Sequence, residues 1–291
     1  MNTILGASGQ VGSAVVANLL KNRQPVKGII RNEKKAARLK KAGATVALAD
    51  IHDESALTAS FRDATALLVL TPETGEEPDM MKDTRAVLQN YRKAVDKSAV
   101  RKIIGLSSVG AQHEKGTGNL MMSYMLEHAF EGLPVKQIFI RPSYYFSNWL
   151  EYLDTAKANG VLPTFFPIDL SIPMISPMDV ARIIAKVMMA NANEDARTVY
   201  ELEGPAWYSS IDVANAFSEI IGTKVEAKQI DRTEWKKTLK PLGFSEDGIK
   251  NFIEMTDAVI SGKALPEKNN TVTLKGETTL MQYLKNEIAD K

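Results

Sequence analysis

Apolar residues along the chain follow two alternating rhythms. Thr3-Ile4-Leu5 is a short apolar run, and after it Val11, Val15, Val16, Leu19 and Leu20 recur at the spacing of one helix face. The segment 26–30 predicts a second strand. The charged, alanine-rich stretch 33–41 predicts a helix with a solvated face. Residues 45–49 predict a third strand, with Asp53 placed to N-cap the helix behind it. Ala66-Leu67-Leu68-Val69-Leu70 is apolar without interruption, as a strand covered on both faces must be. A helix over 79–97, a strand over 103–106, a helix over 120–130 and a strand over 135–140 carry the rhythm on.

Regular strand–helix alternation predicts an α/β fold, a doubly wound parallel sheet with helices on both faces. The texture changes after Arg141. Tyr144, Tyr145, Phe146, Trp149, Phe165 and Phe166 crowd into a short stretch with several prolines. Ser176-Pro177-Met178-Asp179 then opens another helix, the serine as cap and Asp179 completing a capping-box-like pair. The reading is a main domain over 1–148, to which 174–205 returns, and a second, smaller α/β substrate lobe from 149–173 and 206–291. The last residues, 286–291, are mostly polar, the composition of a fraying end.

Gly6-Ala7-Ser8-Gly9-Gln10-Val11-Gly12 reads G-x-x-G-x-x-G between the first strand and the first helix. That context gives the motif its meaning. Glycine lets the chain turn tightly and lets backbone approach a pyrophosphate, and the helix N-terminus offers free N–H groups to the anion. The fold is therefore expected to be of Rossmann type, with Gly6, Ser8, Gly9, Gln10, Val11 and Gly12 holding a dinucleotide. Arg31 ends the second strand, 19 residues past Gly12, where NAD-binding sites usually carry an acidic residue. A guanidinium there suits a 2′-phosphate, and Lys35 adds positive charge. NADP(H) is expected in preference to NAD(H). Asp50 and Ile51 end the third strand at adenine height. Thr71 and Pro72 end the fourth, on the nicotinamide side, and Ser107 and Ser108 end the fifth, level with the nicotinamide.

Bulk composition narrows the classes further. The 291 residues carry 36 basic and 35 acidic side chains, a net charge of +1. Such balance gives no reason to expect nucleic acid or an anionic membrane as partner. The absence of cysteine removes disulfides, cysteine–zinc sites and thiol catalysis, and the three scattered histidines suggest no metal site. No apolar run approaches membrane-spanning length, and the N-terminus lacks a signal-peptide pattern, so a cytoplasmic location is expected.

Together these residues resemble the NmrA-like family of atypical short-chain dehydrogenase/reductases. The matching pieces are the glycine turn at 6–12, Ile30-Arg31-Asn32, Ala49-Asp50, Leu70-Thr71-Pro72 and Leu106-Ser107-Ser108-Val109-Gly110-Ala111. Ile140-Arg141-Pro142 with the aromatics after it, 175–181 and Tyr200-Glu201-Leu202-Glu203-Gly204-Pro205 complete the match, from residue 3 to about 265. The resemblance implies cofactor binding firmly and catalysis less so, because the family holds NADP-dependent quinone reductases and also non-catalytic redox-sensing regulators.

One departure matters. Short-chain reductases usually place a Tyr-x-x-x-Lys pair on the helix after the fifth strand, and counting back from Arg141 puts it at Asn119 and Ser123. Neither residue can act as that pair. Tyr124 and His128, one turn apart, are the candidate substitute acid pair. A quinone needs an acid less than a ketone does, since hydride transfer to it yields a stabilised anion. Tyr144, Tyr145 and Phe146 are the candidate substrate-stacking residues.

Two function classes stay open. One is an NADPH-dependent oxidoreductase passing a hydride to a quinone or similar flat small molecule. The other is a non-catalytic NADP(H)-binding sensor acting through a protein partner, with self-association left open. An isomerase or epimerase on a sugar nucleotide is a weaker third, for want of the Tyr–Lys pair.

Overall fold

The computed structural model describes residues 1–190 and 196–289. In chain order the first half runs β1 (Asn2–Leu5), α1 (Gln10–Lys21), β2 (Val26–Ile30), α2 (Ala36–Lys41), β3 (Thr45–Leu48), α3 (Glu54–Phe61) and β4 (Ala66–Leu70). It continues through α4 (Met80–Asp96), β5 (Lys102–Leu106), α5 (Met121–His128), β6 (Lys136–Pro142) and β7 (Tyr144–Tyr145). The second half holds α6 (Leu153–Asn159), β8 (Val161–Thr164), β9 (Ile172–Ile175), α7 (Pro177–Met189), β10 (Arg197–Glu203) and β11 (Trp207–Tyr208). It ends with α8 (Ser210–Ile221), β12 (Glu226–Gln229), α9 (Trp235–Leu239), α10 (Glu246–Ile260), β13 (Val272–Lys275) and α11 (Leu280–Ala289).

Eight strands form one sheet in the order β13-β10-β6-β5-β4-β1-β2-β3, and every neighbouring pair is parallel. Parallel strands need crossovers, and the helices between them cover both faces. Residues alternate across the strands. Ile4, Ile30, Leu68, Ile104 and Ile138 pack with α1, α2 and α7 on one face. Leu5, Ile29, Leu67, Val69 and Ile103 pack with α3, α4 and α5 on the other. This is the doubly wound α/β architecture. The order reverses between β1 and β4, and a ligand in such a sheet binds outside the carboxyl ends at that switch point.

A second core gathers Phe146, Trp149, Leu153, Leu162, Phe217 and Leu284. Around it stand two small sheets, β11-β9-β7 and β12-β8. The boundaries differ from expectation in two places. β13 falls in a segment expected in the smaller lobe, yet it pairs with β10 at the edge of the main sheet. β9, expected to return to that sheet, pairs with β7 and β11 instead, and only α7 and β10 go back.

The caps follow sequence closely, with one correction. Asp53 Oδ1 accepts the N–H groups of Ser55 and Ala56. Ser176 Oγ accepts from Met178 N, and Pro177 opens α7. Asp179 does not turn back to complete a capping box. Its Oδ2 accepts from the N–H groups of Glu277 and Thr278 at 2.9 and 2.8 Å, and its Oδ1 pairs with Arg182. Backbone arriving from the far end of the chain outcompetes the local partner. Residues 286–289, expected to fray, continue α11, while 290 and 291 lie outside the described residues.

Candidate functional site

The carboxyl end of β1 turns over Gly6, whose φ of +68° lies in the left-handed region. The Gly9 N–H donates to Gly6 O at 2.9 Å and closes the turn. Gly9 then starts α1 with extended backbone and no side-chain cap. A Cβ on Gly12 would lie 2.3 Å from the Gly6 carbonyl oxygen, so helix and turn approach too closely for any side chain. Gly9 differs. A Cβ there would meet only Gly6 O, at 3.3 Å, and its other surroundings are open.

The first turn of α1 holds no acidic residue, so its free N–H groups and positive dipole end face that open surface. An open, uncapped, positive cradle is what a pyrophosphate requires. Ser8 is half-buried beside it, while the Val11 side chain lies in the core and leaves only its backbone for a ligand. Gln10 Nε2 donates to the Tyr283 hydroxyl at 3.2 Å, which ties α11 to the glycine turn.

Arg31 and Lys35 are exposed just past the carboxyl end of β2, and Arg31 makes no ion pair among the described residues. Asp50 Oδ1 accepts from the His52 N–H at 3.0 Å, a local turn bond, and Ile51 packs partly against the core.

A cavity of about 310 Å³ opens beyond β4, β5 and β6, within the usual size of small-molecule sites. Thr71, Ser107, Ser108, Tyr144 and Tyr145 line it together. Pro72 is adjacent to Thr71 in the chain but is not part of the lining. The facing wall is built by Met255 and Val259 of α10 and by Ala264 and Leu265. The turn at 118–120 packs so closely on α10 that a Cβ on Gly118 would stand 1.9 Å from Asn251 O. That contact holds the two walls in register.

Three expected residues are placed elsewhere. Phe146 does not reach the cavity. It is fully buried between Tyr208 and Tyr283 in the lobe core, because its side chain points opposite to its neighbour's. Tyr124 and His128 do meet, ring centroids 4.2 Å apart, but they line a separate recess with Glu127, Arg141 and Arg197. The cavity that gathers the serines does not include them, so their placement gives the acid role no support.

A buried ion network lies under the cavity. Arg141 Nε and Nη2 donate to both oxygens of Glu127 at 2.8 and 2.9 Å, and its Nη1 donates to Glu267 at 2.8 Å. Burial alone would lower the Arg141 pKa, but the carboxylates of Glu127 and Glu267 outweigh it and raise the group above its ordinary value. Ser107 Oγ donates to Glu127 Oε1 at 2.7 Å and so joins the network to the cavity.

A family model described as NmrA-like matches residues 2–261. The chain belongs to the NmrA-like family. Among similar proteins is quinone oxidoreductase 2 of Escherichia coli, 25% identical over 278 residues that cover 94% of this chain and 92% of the relative. Another is an NAD(P)H azoreductase of Xenophilus azovorans, 23% identical over 249 residues, 84% of this chain and 82% of the relative. The fold matches a structure of NADPH-dependent quinone oxidoreductase from E. coli complexed with NADPH, with a TM-score of 0.81, 23% identity and coverage of 99% and 100%. It also matches Citrobacter sp. triphenylmethane reductase complexed with NADP(H), with a TM-score of 0.80, 22% identity and coverage of 98% and 99%.

Within this NmrA-like chain the cavity contains residues that sequence reading passed over. Glu73 lines it two positions past Thr71, and Asn119 Nδ2 donates to Glu73 Oε2 at 3.2 Å. Asn119 Oδ1 and Ser143 Oγ are buried with no hydrogen-bond partner among the described residues, and both residues line the cavity. Unpartnered buried polar atoms at a cavity wall fit a ligand that would satisfy them. The usable signal was positional, since Thr71-Pro72-Glu73 follows the carboxyl end of β4, where ligands of such sheets sit.

Proposed function

We propose that this NmrA-like protein is an NADPH-dependent oxidoreductase that reduces a quinone or similar flat electrophilic acceptor. The observation that carries the reading is the adjacency of two features. The uncapped glycine cradle ends β1, the cavity opens beyond β4, β5 and β6, and Leu70 links them, lining the cavity while packing against Gly6 beside the β1–β4 switch point where ligands of this sheet type sit. The relatives named as an NAD(P)H azoreductase and a quinone oxidoreductase support it.

The residues present fit NADP(H). Gly6, Ser8, Gly9, Gln10, Val11 and Gly12 would hold the pyrophosphate, largely through backbone N–H groups. Arg31, helped by Lys35, would hold the 2′-phosphate. Asp50 and Ile51 would flank the adenine side. Thr71, Ser107 and Ser108 would stand on the nicotinamide side. A reduced nicotinamide supplies a hydride when bound.

What the protein adds is shape and an apolar lining. Leu70, Leu106, Leu120, Ile172 and Val259 make most of the cavity wall hydrocarbon, while Tyr144 and Tyr145 give it aromatic surface. A flat, neutral acceptor is held by such walls with few directional bonds. Proximity between acceptor and coenzyme is then the main catalytic contribution. The cavity is walled by both the main domain and the smaller lobe, which fits a division into cofactor and substrate parts. A cysteine-free chain drawing on NADPH suits the cytoplasm, and among the described residues no helix is long and apolar enough to cross a membrane.

The test is NADPH oxidation with a panel of quinones, beside a direct NADPH titration. Saturable binding with quinone turnover is the expected result. Tight binding with no turnover on any acceptor would favour the sensor reading instead.

A further inference from the structure

Among the side chains that line the cavity, Glu73 is the one carboxyl. Ser107 is bonded to Glu127, and the positions where short-chain reductases carry their Tyr–Lys pair hold Asn119 and Ser123, which line this cavity. Neither side chain has a proton that titrates near neutrality. Glu73 faces the same cavity from the loop after β4, on the Asn119 side.

We propose that Glu73 is the proton donor of this cavity and protonates the acceptor oxygen as the acceptor is reduced. This rests on the reductase reading above and supplies the acid that the sequence motif lacks.

The geometry comes first. Glu73 is held by one hydrogen bond, from Asn119 Nδ2 at 3.2 Å, and by no lysine or arginine among the described residues. A carboxyl without a cation partner has little to stabilise its charged form. Glu73 is exposed over its surface as a whole, while its carboxyl stands in the cavity lining beside Asn119 and Tyr145 and is partly desolvated there. That partial desolvation pushes its pKa up to about 7, against the smaller lowering effect of the Asn119 bond.

The facing titratable group is Tyr145. Burial first, and the Glu73 charge second, hold that phenol well above its ordinary value, so it stays neutral. Nearby Glu77 accepts from Thr74 Oγ1 at 2.6 Å, a bond made within the loop. Glu73 is therefore the cavity group that changes protonation state near neutral pH, where an acid catalyst works best.

The step balances. The reduced nicotinamide coenzyme gives the acceptor a hydride and is itself oxidised. The Glu73 O–H bond breaks, and its proton goes to the acceptor oxygen on which the electron pair settles. The glutamate recovers a proton from water through the open cleft.

The experiment uses the full chain in two measurements. Infrared spectroscopy without coenzyme follows the carbonyl band of a protonated carboxyl from pH 5 to 9. The wild type is expected to show a band that disappears around pH 7, that Glu73→Gln lacks, and that persists to higher pH in Asn119→Ala. Turnover of a simple benzoquinone with NADPH follows the same pH range. Wild-type kcat is expected to fall above about pH 7, and that of Glu73→Gln to be pH-independent and lower by about 10²-fold, the usual worth of a general acid.

A Glu73 band that titrates at an ordinary carboxyl pH overturns the proposal. So does wild-type turnover whose rate and pH profile survive in Glu73→Gln. A wild type that binds NADPH but reduces no quinone sinks the reductase reading, and the proton-donor role with it. The second and third outcomes are distinguished by wild-type turnover alone.

Discussion

Ser107 donates its hydroxyl proton to Glu127, Oγ to Oε1 at 2.7 Å, while the same side chain lines the cavity. Toward a ligand it can therefore only accept. Expected of Ser107→Ala is the loss of one acceptor bond worth about 0.5–1.5 kcal/mol, so NADPH affinity should fall roughly two- to tenfold. Glu127 keeps both Arg141 bonds, so the fold should persist. Fluorescence titration of NADPH decides this, and unchanged affinity would show that the serine meets no ligand donor.

Arg31 should discriminate between coenzymes. It is exposed and unpaired among the described residues, so nothing in the chain competes for its guanidinium. A charge-assisted bond to phosphate contributes about 1.5–3 kcal/mol. Arg31→Ala should then weaken NADPH by about tenfold or more while barely affecting NADH. Equal losses for the two would remove Arg31 from the 2′-phosphate site.

Gly9 tests the cradle with little risk to the fold. Its φ of −79° suits any residue, and only Gly6 O stands near a new Cβ. Gly9→Val should keep native circular dichroism and lose NADPH binding, because the side chain would fill the space over the turn. Native structure with retained binding would contradict the assignment. Gly12→Ala is the contrasting case, since a Cβ 2.3 Å from Gly6 O must displace backbone.

The Arg141 network should be costly to break. Arg141→Met would leave buried Glu201 without its cation and buried Glu127 with Arg197, at 3.1 Å, as its remaining cation partner among the described residues. Removing one partner of a buried pair typically costs about 3–5 kcal/mol. Urea unfolding should show a matching drop in midpoint at unchanged slope. A loss below about 1 kcal/mol would mean that Arg197, water or protonation takes over the carboxylates.

Glu73 should also leave a mark on stability. Its pKa in the folded protein, about 7, stands above the ordinary 4.5. The unfolded chain therefore ionises first as pH rises, and the folded state loses stability between those two values. Glu73→Gln removes that loss. Thermal melts should place the variant above the wild type at pH 8, with the gap closing toward pH 4. A constant gap across that range would assign the effect to packing rather than to charge.

Local features of this fold were readable and distant ones were not. The strand at 66–70 matches its expected bounds because it is an unbroken apolar run, and the strand at 26–30 because apolar Val26, Ile29 and Ile30 bracket it. The glycine turn was readable because backbone geometry is written in the glycines themselves. Glu73 was not, because a carboxyl becomes an acid only through what surrounds it, and Asn119 and Tyr145 come from 46 and more residues away. Tyr145 and Phe146 are adjacent and both aromatic, so composition could not say that one faces the cavity and the other the core. Asp179 fits the spacing of a capping box, yet its carboxylate serves backbone at 277 and 278.

The return of β13 to the main sheet sets the order in which the chain can be finished. Seven strands of that sheet are complete by residue 203, but the eighth begins only at residue 272. During synthesis β10 therefore waits with one row of backbone donors and acceptors unpaired while the intervening lobe is made. Buried Glu201 waits as well, since the N–H groups of Glu267 and Lys268 that it accepts also come late. A chain cut short between residues 203 and 272 keeps its glycine cradle and seven of the eight strands of that sheet but carries a permanently open strand edge. Its expected fate is self-association through that edge rather than a smaller version of the same fold.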